Sequence, residues 1–185
     1  WIEELTEADE AFDAVYHNKI VPEMEHQLLN LIQQYDGEAD VFLATVLDRA
    51  DKIIASVQEE VNEAIAKSND TLLRERVEQI QAVSSMKIWA LAQYQNQADL
   101  IINQDMAIVE DFDRSAAEME KSIELAKLAV DTPDERKWLA ELEEADNQFD
   151  IIFNEKVKPE VARILENRIG LYDEEADTHL SIVDD

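Results

Sequence analysis

No cysteine occurs among the 185 residues, and glycine and proline are nearly as scarce, at two and three. The first absence excludes disulfides, thiolate metal sites and thiol nucleophiles. The second leaves too little turn chemistry for a β or α/β fold of this length, so the fold class is all-α. Basic residues are also few: 16 Lys and Arg stand against 44 Asp and Glu, a formal net charge of −28. Nucleic acid and anionic lipid both demand Lys or Arg against phosphate, so neither is an expected partner. No apolar run reaches the ~18 residues of a membrane span. The longest stretches, such as 88–92, sit inside amphipathic patterns. Glycines 37 and 170 stand alone, so there is no Gly-rich phosphate loop. The pattern is already helical at Trp1, as expected of a segment of a longer chain, and the lack of a leader there carries little weight.

What the sequence does have is a duplication. Residues 1–43 and 138–180 align without a gap at an offset of 137 and share 20 identities. These include Trp1/Trp138, Phe12/Phe149, Lys19/Lys156, Pro22-Glu23/Pro159-Glu160 and the YDxEAD that starts at Tyr35 and Tyr172. A period of 137 is too long for a solenoid unit of about 20–50 residues. It suits two long helices with their turns, so residues 1–185 are read as one elongated helical domain containing an internal repeat.

Apolar residues recur every three or four positions from Leu5 to Val61, the mark of a helix burying one stripe. Pro22 interrupts this line and Pro159 interrupts its copy, which predicts a bend or a fresh start at both. A polar turn, Ser68-Asn69-Asp70-Thr71, ends the first helix near Lys67. A second helix is expected over 72–130, with a seam through Ile88, Leu91, Gln95, Ala98, Ile102, Val109, Phe112, Met119, Ile123 and Val130. Twelve steps between 88 and 130 average 3.5 residues, the coiled-coil period. Thr132-Pro133-Asp134-Glu135 then reads as a capping box opening a third helix. Three rods side by side leave an apolar groove. The architecture is therefore expected to be an antiparallel bundle of long helices, four-helix-bundle-like, completed by a missing helix or a second chain, with a homodimer as the natural outcome.

Candidate chemistry is sparse. Glu23 and His26 form an ExxH pair of the di-iron type, but the copy carries Arg163 where a second histidine is needed, so no metal and no cofactor are expected. No nucleophile–base arrangement stands out, and an enzyme is not expected. The repeated aromatics read as core. Trp89 has no counterpart and lies beside the amide-rich Gln93-Tyr94-Gln95-Asn96-Gln97. Antiparallel pairing about the 68–71 turn sets Trp89 opposite Arg49, and counting back from the 132–135 turn brings the His179 region to the same level. Arg49, Trp89, Gln93 and His179 are therefore the candidate ligand-binding residues, suited to a small organic acid or amino acid. The plainer reading is that Arg49 snorkels and pairs with a nearby carboxylate.

The stretch DERKWLAELEEADNQFDIIFNEKVKPEV resembles the third-helix region of the extracytoplasmic helical sensor domains of bacterial methyl-accepting chemotaxis proteins, in their four-helix-bundle and longer helical bimodular forms. The shared features are an aromatic–acidic helix ending in Lys-x-x-Pro near a bend, present here at 1–24 and 138–161. The resemblance implies a dimeric, periplasmic ligand-binding module of an inner-membrane receptor, joined to the membrane through segments absent from this chain. Ligand bound between helices would displace one of them. The alternative is a structural coiled-coil scaffold acting through protein contacts. A sensor should show a buried polar layer breaking the apolar seam, and a scaffold should show continuous apolar layers.

Overall fold

The computed structural model describes residues 14–167. Helix α1 is Val21–Ala66, entered through a π-helical turn at Tyr16–Ile20. Helix α2 is Asp70–Asn103, α3 is Ile108–Ala129, and α4 is Pro133–Ile152. A second π-helical turn, Phe153–Val157, carries α4 onward in α-helical form to residue 167. No strand occurs among the described residues. The beginning of the first helix at Trp1 and the second repeat copy beyond residue 167 lie outside them.

Each turn has a local cause. After Ala66 the chain passes through Ser68 at φ 52°, and the Asn69 side chain accepts the Leu72 N–H at 3.2 Å, which caps α2. Before α4, Thr132 Oγ1 accepts the Glu135 N–H at 3.2 Å and Glu135 Oε2 accepts the Thr132 N–H at 3.4 Å. That is the expected capping box, with Pro133 in the first turn.

The second helix is not continuous over 72–130. It stops at Asn103, where Gln104 takes a left-handed conformation at φ 52° and its N–H returns to Leu100 O. Asp105 then accepts the Ala107 N–H at 3.0 Å and restarts the chain as α3. Three consecutive polar side chains, Asn103-Gln104-Asp105, supply this turn without glycine or proline.

The break changes the topology. Four helices of alternating direction form the bundle, with α1 packed on α2 and α4, and α2 packed on α3. The chain itself supplies the fourth helix, so no missing helix or second chain is needed to close the core. The expected all-α antiparallel bundle is present.

The seam on α2 also falls elsewhere. Its buried residues are Gln79, Val83, Met86, Ala90, Gln93, Gln97 and Leu100. The expected line lies outside, with Ile88 62 % and Ile102 75 % exposed. One heptad does not run across the 104–107 break, and the buried seam lies one or two residues before the expected one. From Phe112 to Val130, on α3, the expected seam is the buried one. Toward the Asn69 and Thr132 turns the core is Val46, Ala50, Ile53, Val57, Val83, Met86, Met119, Ile123, Leu139 and Leu142. At the other end Phe112 stacks on Phe153 at 3.5 Å and on Phe149 at 6.1 Å.

The two π turns are equivalent positions of the repeat, and each immediately precedes or contains the residue before a proline. Val21 N–H reaches Tyr16 O, and Lys158 N–H reaches Phe153 O, five residues back in both cases. A helical proline clashes with the carbonyl four residues earlier; the wider turn opens that space and lets the helix continue. The helices therefore run on through Pro22 and Pro159.

Candidate functional site

The α2 seam places three glutamines in the bundle interior, Gln79 and Gln97 fully buried and Gln93 1 % exposed. Their spacing follows the same 3–4 alternation as the apolar seam residues, so the helix geometry itself turns them inward. Gln93 Nε2 donates to Asp150 Oδ1 of α4 at 3.0 Å, and Gln97 Nε2 donates to Asp36 Oδ1 of α1 at 2.9 Å. Beside them Asn96 Nδ2 donates to Ser115 Oγ of α3 at 3.1 Å. Gln93 Oε1 and Gln97 Oε1 are buried and have no hydrogen-bond partner. A polar layer thus ties α2 to each of the other three helices and breaks the apolar seam.

The layer is acidic. Asp146 and Asp150 stand one turn apart on α4, and Asp146 is only 7 % exposed. Burial pushes the Asp146 carboxyl up to about 7, with the neighbouring Asp150 charge adding to it and Gln93 opposing. Burial likewise raises Asp150 to about 6, against a hydrogen bond from Gln93 and with help from Asp113 and Glu120. Next to Gln93 on α2, the Tyr94 phenol is raised mainly by the charge of Asp40.

Arg49 lies on α1 facing α4, where its Nε donates to Glu141 Oε2 at 2.5 Å and its guanidinium also meets Asp48. It lines a groove of about 490 Å³ between α1 and α4, together with Phe42, Thr45, Lys137, Glu141 and Glu144. Trp89 is at the level of Arg49, a register fixed by Lys87 Nζ on Asp51 Oδ1 at 2.5 Å, but it packs on the apolar cluster nearer the turns. Gln93 is a turn further on and engages Asp150. The structure therefore puts Arg49 and Trp89 at one level, without gathering Arg49, Trp89 and Gln93 around a single cavity. His179 lies outside the described residues. The α4 residue that meets Arg49 is Glu141.

A second groove, about 670 Å³, runs between α2 and α3 near the turns and is lined by Arg76, Gln79, Ser85, Leu125, Leu128 and Asp131, among others. Arg76 bridges Glu60 of α1 at 2.6 Å and Asp131 of the α3–α4 turn at 2.5 Å, and donates to Gln79 Oε1 at 3.1 Å. This hub locks the turn end of the bundle. Glu160, in the second copy of the ExxH position, is paired with Arg163 at 2.7 Å.

Sequence reasoning missed Asp146 and Asp150. Among 44 acids nothing marks one as buried and its neighbour a turn on as half-buried, although both recur in the repeat as Asp9 and Asp13. No family model, no curated protein and no solved structure matches the chain.

Proposed function

We propose that the chain is the ligand-binding sensor module of a bacterial transmembrane chemoreceptor, extracytoplasmic in its setting. The observation that carries this reading is the polar layer of Gln93, Gln97, Asp146 and Asp150 interrupting an otherwise apolar seam. Buried amides with unpaired oxygens lower the stability of this layer while fixing one register, so a bundle that carries them holds a defined packing that a ligand can exchange for another. The Arg49 groove supplies a place for a small organic acid or amino acid: its carboxylate would take the guanidinium from Glu141, and Phe42 and Thr45 would floor it. Releasing the Arg49–Glu141 pair would free α1 to slide against α4 by ~1–2 Å, and a helix of 46 residues, ~70 Å long, carries such a shift to its end. The repeated π turns fit this role, since such turns adjust helix register.

A thermal-shift screen of small carboxylates and amino acids tests the reading. A stabilising compound whose effect is lost in Arg49→Ala supports it; no response to any of them sinks it. The scaffold reading has its own observation, the outer stripe of α2 with Val77, Ile88, Leu91 and Ile102 exposed. That stripe is suited to another helix, including that of a second copy in a homodimer.

A further inference from the structure

The Asp146–Asp150–Gln93 cluster contains an electrostatic problem that the sensor reading does not use. Both carboxylates belong to α4, and Gln93 reaches them from α2 with its amide nitrogen on Asp150. From α3, Asp113 and Glu120 add negative charge. On α4 itself Glu143 adds more, although Lys127 of α3 holds it at 2.7 Å. At this level α1 offers the apolar Phe42, Leu43 and Val46, and its nearest acids, Asp36 and Asp40, act on Gln97 and Tyr94. The strongest influences on the two aspartates are burial, neighbouring carboxylates and the Gln93 amide. Two carboxylates one turn apart, Asp146 buried and Asp150 half-buried, whose strongest neighbours are further acids and an amide, resist being ionised together. The amide beside them, on a residue 1 % exposed, has one oxygen without a donor.

We propose that Asp146, Asp150 and Gln93 form a proton-binding site inside the bundle: the pair takes up one proton, and the resulting carboxylic O–H donates to Gln93 Oε1. The proton supplies both missing elements at once, cancelling one charge and giving the orphaned acceptor a donor. Its release leaves the buried Asp146 carboxylate ionised beside that of half-buried Asp150, which water must enter to solvate, and the α2–α4 contact loosens. The bundle therefore responds to pH, tighter on the acid side, independently of any ligand at Arg49. The sign follows from the direction of the shift. A carboxyl whose proton is held more tightly in the folded than in the unfolded chain favours folding at low pH, and this advantage fades as pH rises through the folded value.

Two measurements on the 185-residue chain test this. Carbon-13 NMR of the side-chain carboxyls in wild type should show one aspartate titrating above about pH 6; all aspartates titrating below about pH 5 overturns the proposal. Urea unfolding between about pH 5 and pH 8 should show wild type losing stability as pH rises. Asp146→Asn should have a slope shallower by one proton, up to tenfold in the folding constant per pH unit. Parallel pH profiles for wild type, Asp146→Asn and Asp150→Asn overturn it. So does a gain of stability at about pH 8 on adding calcium or magnesium that both variants lose, since the occupant would then be a metal ion.

Discussion

Toward the turns, the α2 seam presents Val83, Met86 and Ala90 to Val46, Ile53, Met119 and Leu142, and the packing is dry until Gln79 meets Arg76 at its mouth. Beyond Ala90 the same helix face presents Gln93 and Gln97 to Asp150 and Asp36. The backbone geometry is the same in both stretches, so the difference is chemical. Apolar side chains tolerate a small slide or rotation because dispersion has no direction. An amide bonded to one carboxylate does not, because moving it by a residue breaks the bond and strands both partners. The dry stretch supplies stability and the amide stretch fixes register at a cost in stability, a division known from single polar residues in coiled-coil seams.

The largest effect should come from Phe153→Ala. This ring is fully buried against Phe112, and removal should cost about 3–5 kcal/mol in urea unfolding. If the two stretches differ as argued, Met86→Gln should follow, at about 2–4 kcal/mol, since it puts an amide into the dry half with no carboxylate opposite. The converse change, Gln97→Leu, should shift stability by less than about 1 kcal/mol, the loss of one hydrogen bond to Asp36 being offset by removal of the unpaired Oε1. A large loss in Gln97→Leu would mean that the amide is a stability element and that the contrast is false. Thr132→Ala tests the turn that positions α4 against both stretches; losing its capping bond to Glu135 should cost about 1 kcal/mol.

The repeat offers a finer comparison. In the second copy Lys156 crosses to the first copy, meeting Glu38 at 2.7 Å and lying 5.3 Å from the Tyr35 ring centroid. All three residues are repeat-shared, so the duplication contains both sides of its own contact. The two copies pack antiparallel, and the π turns before their prolines keep both helices running through that contact.

Composition and periodicity by themselves determined the helical class, most of the stripe on α1, the polar turn at 68–71, the capping box at Thr132 and the equivalence of the two prolines. These are local: they depend on side chains reaching their own backbone or on a 3.6-residue period, and both are written in the order of residues. The break at Gln104, the inward face of α2 and the burial of Asp146 beside half-buried Asp150 were decided only by tertiary structure. A polar triplet becomes a turn when the folded-back helix buries more apolar surface than a straight rod would, and that depends on residues far along the chain. A glutamine or an aspartate is read as solvated until the opposite helix takes the water away.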